Sequence, residues 1–258
     1  VDLLLQVTLT PSEGKRLIGK SVAALEPVQT ALREGTIIIA TGTTNAYVFE
    51  ELMGRKIENK GLFTAGVVTA KGCGLTVPEK RYKHQVIVKG KVTEMETPEL
   101  PKVLQEMGPN DIFIKGANAI DPYGSAAVML GGGGGGTMGT CWGYLSANGI
   151  KFIIPVGLEK LVPCSLMDVA QRTGNKKIDK ALGLGVGLMV VSGEIITEIE
   201  AFNLLTGVEA IPIGGGGIDG GEGSRTFLLE GDEASIESCE ATVKAIKGEP
   251  PLKTTIQS

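Results

Sequence analysis

The pentapeptide Thr36–Ala40, TIIIA, limits the fold of this chain more than any other stretch. Successive side chains of a strand point to opposite faces, so three consecutive isoleucines make both faces apolar. Such a strand belongs at the centre of a mostly parallel sheet with helices on both faces, the α/β class. The polar turn Thr41-Gly42-Thr43-Thr44-Asn45 follows at once, and Ala46–Met53 then has the pattern of a helix. A strand, a tight turn and a helix in that order aim backbone N–H groups and hydroxyls at an anion. The helix dipole adds about 0.3–1 kcal/mol for a negative charge placed there. An ordinary threonine-capped βα turn has the same sequence. The turn holds no lysine, which separates it from a nucleotide P-loop.

A second stretch, Asp111–Thr140, runs from an apolar strand through Asp121-Pro122-Tyr123-Gly124 into six consecutive glycines, Gly131–Gly136. Each glycine loses more backbone entropy on folding than any other residue. A run of them among Val, Ile and Leu suits a place where backbone closely approaches another group. It is read as the floor of a small-molecule site, with Gly131, Gly132, Gly133 and Gly134 as binding residues. Lys115 stands at the end of the apolar strand. A buried lysine needs an acid, with Asp121 the nearest in sequence, or an anionic ligand. Once desolvated it can serve as a base or Schiff-base nucleophile, and a lysine that reaches solvent is the plain alternative.

The remaining elements follow from periodicity and punctuation. Thr10-Pro11-Ser12-Glu13 supplies a helix start, and apolar residues from Leu17 to Leu32 make one stripe over a helix Pro11–Arg33, kinked at Pro27. Strands are expected at Leu62–Val68, Gln85–Thr93, Lys151–Val156, Val186–Val191, Val208–Ile213 and Arg225–Leu229. Helices are expected at Thr137–Asn148, Ile195–Leu205 and Glu233–Ile246. VDLLLQVTL reads as an N-terminal strand and the tail after Gly248 as frayed. The polar Thr173–Lys180 suggests a linker (173–180) between a main α/β domain (1–172) and a small α+β unit (181–258) of split βαβ, ferredoxin-like order.

The chain has 258 residues and a net charge of −4, with its lysines and arginines scattered, which argues against nucleic acid as a partner. One histidine, His84, and four cysteines without C-x-x-C spacing argue against a metal site. His84 reads as a satisfied surface histidine. Cys141 and Cys239 read as small buried hydrophobes, and Cys73 as the one thiol in a loop setting. No secretory signal or 18-residue apolar span is visible, so no membrane partner and a cytoplasmic location are expected.

Several segments in order resemble one superfamily, that of ribose-5-phosphate isomerase, glucosamine-6-phosphate deaminase, CoA-transferases and the initiation-factor-2B-like methylthioribose-1-phosphate isomerases. Ala40–Ala46 is similar to its phosphate loop, and Lys115-Gly116-Ala117-Asn118-Ala119-Ile120-Asp121 to its Asp-Gly-Ala-Asp-Glu-Val-Asp. The glycine run and Phe152–Leu161 resemble the segments that follow, Lys160 keeping the lysine of a Ser-Lys element. The resemblance implies a Rossmann-like sheet and a small anionic metabolite held by Thr41, Gly42, Thr43, Thr44, Asn45, Asn118 and Lys160, with no cofactor. Lys115 and Asp121 are the candidate catalytic residues. The isomerase acids are missing: Lys115, Asn118 and Ala119 replace three of them, and Leu130 stands where a lysine is expected. Isomerisation needs a base to move a proton between carbons, so altered isomerase- or transferase-like chemistry competes with non-catalytic ligand binding. A CoA-transferase would want an exposed glutamate, for which Glu222 has a flexible setting. A second alternative is dinucleotide binding, since Gly134-x-Gly136-x-x-Gly139 fits the fingerprint, with Glu159 as the ribose acid. Weakly charged strands in the second half could pair across a two-fold axis in a homo-oligomer.

Overall fold

A computed structural model describes residues 3–257. Strand β1 (Leu3–Leu9) leads into α1 (Pro11–Ala24) through a capping box, in which Thr10 and Glu13 exchange side-chain and backbone hydrogen bonds of 2.9 and 3.3 Å. Val1 and Asp2 of the expected first strand lie outside the described residues. The single helix expected over Pro11–Arg33 is two. Leu25 is extended (φ −59°, ψ 130°), and α2 (Glu26–Glu34) begins with Pro27 in its first turn. Proline lacks the N–H and its ring clashes with the carbonyl four residues back, so the helix breaks here instead of kinking.

Next come β2 (Thr36–Ile39) and α3 (Thr43–Met53), then a hairpin of β3 (Gly66–Thr69) and β4 (Gly72–Leu75). The strand expected over Gln85–Thr93 is also a hairpin, β5 (His84–Val88) and β6 (Lys91–Met95). Lys89 and Gly90 both take positive φ (47° and 78°), the requirement of a tight two-residue turn. The chain continues through α4 (Pro101–Leu104), β7 (Ile112–Ile114), β8 (Ala119–Ile120), β9 (Ala126–Leu130), α5 (Gly136–Asn148), β10 (Lys151–Pro155) and α6 (Leu166–Ala170). It ends with β11 (Gly187–Val191), β12 (Glu194–Ile196), α7 (Glu198–Thr206), β13 (Glu209–Gly216), β14 (Ser224–Gly231) and α8 (Glu233–Ile246). Ile195, expected in a helix, pairs with Ile154 in the sheet, and the helix starts after a second capping box at Thr197.

The fold is α/β around a mixed, mostly parallel six-stranded sheet of order β12-β10-β7-β2-β5-β6. The first four strands are parallel, and β5 and β6 are antiparallel additions. Ile38, Phe113 and Phe152 lie side by side in register, and Ile37 and Ile112 occupy the other face. Phe113 and Phe152 meet edge-on at 5.6 Å, and Trp142 of α5 adds an edge contact to Phe152 at 6.3 Å. Ile37, Ile38, Ile39 and Phe113 are fully buried, each burial stabilising by about 1.5–3 kcal/mol. Helices α1 and α3 pack closely because Gly19 has no Cβ; one would lie 2.9 Å from the Tyr47 carbonyl carbon.

A second sheet, β1-β14-β13, pairs the N-terminal strand along the whole of β14, so residues from both ends of the chain build it. A third, β11-β9-β8, stands beside the main sheet. The tail after Gly248 is tied down, contrary to expectation. Val77 N donates to Thr255 O at 3.2 Å, Gln257 N to Leu75 O at 2.9 Å, and Arg16 pairs with Glu249. Among the described residues no helix is long and apolar enough to cross a membrane.

Candidate functional site

The parallel strands β2, β7 and β10 run into one cavity of about 940 Å³ at their carboxyl ends. Ligands of open α/β sheets bind at this edge, where the connections leave a crevice. β2 delivers Thr41–Thr44, β7 delivers Lys115–Asn118, and β10 delivers Glu159 and Lys160. Gly131, Gly132, Gly135 and Gly136 form part of the wall, and the β3–β4 hairpin, Leu184, Leu252 and Thr254 complete it. Gly133 and Gly134 do not line the cavity. Gly134, Gly135 and Gly136 take φ of 70°, 80° and 56°, and this reversal sets the Gly134 carbonyl oxygen against Gly139, where a Cβ would collide with it. The run therefore serves the turn as much as the wall.

The Thr41–Thr44 turn opens α3 with Gly42 as its cap, and no side chain caps the first amides. Thr44 is 1 % exposed, and its Oγ1 has no hydrogen-bond partner among the described residues. Asn45 is not among the lining residues. Its Nδ2 donates to Ala40 O at 2.6 Å and Ile114 O at 3.4 Å, clamping β2 to β7.

His84 is buried, not at the surface as its sequence setting suggested. β5 runs antiparallel to β2, which puts its first residue beside the end of β2. His84 Nδ1 accepts from Thr41 N at 2.9 Å, and Nε2 lies 2.9 Å from Thr97 Oγ1. Thr97 Oγ1 is in turn 3.3 Å from Thr137 Oγ1, a residue that lines the cavity. Burial, reinforced by the charges of Lys115 and Arg81, lowers the imidazole pKa to about 4. The ring is neutral at pH 7 and holds the turn as an acceptor.

Lys115 reaches the cavity and Asp121 does not. Asp121 Oδ1 accepts from Tyr123 N and Ser125 N, and Oδ2 from Leu166 N, at 2.8–3.0 Å. These bonds close a turn and outweigh burial, holding the carboxyl below its ordinary pKa. The Lys115–Asp121 pairing expected from their spacing is not formed. Burial lowers Lys115 to about 8, and the one neighbour that favours its charge is the Cys141 thiol, itself pushed up to about 12 by burial. Asn118 Oδ1 accepts from Met129 N at 2.9 Å, fixing that residue to the wall.

Lys160 Nζ donates to Ala117 O at 2.8 Å, and burial lowers it to about 8 against the pull of Glu159. Glu159 pairs with Lys15 at 2.5 Å, and its Oε2 is buried with no hydrogen-bond partner. Burial would raise the Glu159 carboxyl, but the Lys15 and Lys160 charges hold it below its ordinary value. Behind it, Glu198 accepts from Leu158 N at 2.8 Å, and burial together with the Glu159 charge raises it to about 7. Lys15 was missed in the sequence. Its readable signal was a lysine three and seven residues before Ile18 and Val22, on the apolar stripe. The tail residues Leu252 and Thr254 carried no signal.

Two other expectations find no support in this geometry. Glu222 is exposed and does not line the cavity. The glycine fingerprint follows β9, which lies in a different sheet from β10, so the βαβ unit that a dinucleotide requires is not formed there. Cys73, of intermediate exposure on β4, lines the cavity.

The chain matches no protein-family model, no curated protein and no solved structure.

Proposed function

We propose that this cavity binds a small anionic metabolite, with its phosphate or carboxylate on the Thr41–Thr44 turn. The unpartnered Thr44 hydroxyl, buried at an uncapped helix start, carries this reading. A buried polar group without a partner costs about 1–3 kcal/mol, which an anion accepting its proton would recover. Lys15, Lys115 and Lys160 line the same cavity and favour a negative ligand. Glu159 is the one carboxylate among the lining residues, and its orphaned Oε2 calls for a donor, such as a hydroxyl or ammonium on the ligand.

The gathering of the phosphate-loop-like turn, the Lys115–Asn118 segment, part of the glycine run and Lys160 around one cavity supports a Rossmann-like frame of the superfamily that the sequence resembles. The edge strand β13, with Ile211 and Ile213 exposed, would be the place for a two-fold contact. Isomerase- or transferase-like turnover and non-catalytic ligand sensing both use this cavity.

A thermal-shift series with inorganic phosphate, sugar phosphates and acyl-CoAs tests the reading. A ligand at a hundred times its Kd stabilises by about 2.7 kcal/mol. No shift with any phosphorylated compound at millimolar concentration would contradict it.

A further inference from the structure

We propose that Lys115 is an imine-forming residue, whose amine condenses with the carbonyl of a small anionic aldehyde or ketone bound in the cavity. The inference rests on the anion reading above and adds a chemical class to the ligand.

Lys115 is held at the carboxyl end of β7 between both neighbouring strands. Its backbone N donates to Ile153 O at 3.1 Å, and the preceding carbonyl, Ile114 O, accepts from Ala40 N at 2.9 Å. A side chain launched from so fixed a backbone enters the cavity from a defined point, as a covalent step requires.

No acid among the described residues bonds Lys115 as a plain cation. Asp121 spends both oxygens on backbone N–H groups, and Glu159 gives Oε1 to Lys15 while its Oε2 bonds no lysine among the described residues. The three cavity lysines therefore divide. Lys15 is ion-paired, Lys160 donates to Ala117 O beside Glu159, and Lys115 has neither kind of partner among the described residues. A desolvated lysine without a counter-ion is the form that acts as an amine nucleophile. With a pKa lowered to about 8 by burial, roughly a tenth of it is neutral at pH 7.

The balance is that of a simple condensation. The Nζ lone pair adds to the carbonyl carbon, a C–N bond forms, and the oxygen takes a proton. The added nitrogen returns one proton to the donor, the carbinolamine C–O bond breaks, and the oxygen leaves as water with the remaining N–H hydrogen, so that the nitrogen lone pair closes a C=N bond. Lys160, whose charge acts on the same region, is a neighbouring ammonium that can lend and recover the proton. No oxidant or reductant is involved.

The test uses glyoxylate, a carboxylate bearing an aldehyde, with sodium cyanoborohydride to reduce any imine, followed by intact mass and peptide mapping of the full chain. The expected result is one rapid adduct on Lys115, formed faster as pH rises toward 8 and absent in Lys115→Arg. Should that variant fail to fold, the mapped position in the wild type still decides. Labelling of Lys115 no faster than that of exposed lysines such as Lys244 overturns the proposal. Excess inorganic phosphate should suppress the adduct. A Lys115 adduct that phosphate leaves untouched keeps the imine and instead contradicts the anion-binding turn.

Discussion

The Thr41 N–H donates to Nδ1 of His84 at 2.9 Å, which leaves the ring proton on Nε2 to be donated to Thr97 Oγ1 at 2.9 Å. Protonation would put a hydrogen on Nδ1 and turn the acceptor of the Thr41 amide into a second donor. The folded imidazole pKa, about 4, lies below the unfolded value near 6.5, so the folded state favours the neutral ring. Its contribution is fully present above pH 6.5 and is lost as pH falls toward 4. Denaturant unfolding should show about 3 kcal/mol lost over that window in excess of the loss in His84→Asn, which offers a non-titrating acceptor. Parallel pH curves for the two proteins would rule this out.

Gly139→Ala should destabilise by about 2 kcal/mol or more, because the new methyl collides with the Gly134 carbonyl oxygen. Gly143, on the same helix with open space around it, is the control. There alanine should stabilise by about 0.5–1 kcal/mol through helix propensity alone. Thermal melts of the two variants should move in opposite directions.

The C-terminal tail is secured by Arg16, which bonds Glu50 at 2.6 Å, Glu51 at 2.8 Å and Glu249 at 3.0 Å, with Lys60 near Glu50 and Glu249. Arg16→Met leaves the buried Glu50 carboxylate with weaker pairing. It should cost about 1–3 kcal/mol in urea unfolding, because a buried carboxylate loses one charged partner while Lys60 and the Ile57 amide remain. It should also speed proteolysis after Gly248. A variant with unchanged stability would show that the cluster is dispensable.

How much of this was legible in the sequence depended on how local each cause was. The Thr36–Ala40 run, the Thr10 cap and the Glu233–Ile246 helix rest on neighbouring residues, and all three elements stand in the structure. The hairpin at Lys89-Gly90 was missed because lysine is an unusual residue at positive φ. Ile195 was placed in a helix because its strand exists only through pairing with β10. Around the cavity, the polar turn Thr41–Thr44 and Lys115 stood out at the ends of apolar runs, whereas Asn118 and Lys160 were picked out only through the resemblance; all of them are lining residues. Asp121 and the Asn45 Nδ2 share that setting, yet they bond the backbone around them and neither residue lines the cavity. The roles of Lys15, His84 and the tail depend on contacts across more than forty positions of chain.

Titration calorimetry of inorganic phosphate into the wild type and Thr44→Val reads the anion turn directly. Valine keeps the shape and removes the orphaned hydroxyl, so the unliganded variant should melt at or slightly above the wild-type temperature. Loss of one hydrogen bond to a charged ligand, about 1.5–3 kcal/mol, should weaken phosphate binding by about tenfold or more. Equal affinities for the two proteins, or no heat from either, would show that the anion does not sit on the Thr41–Thr44 turn.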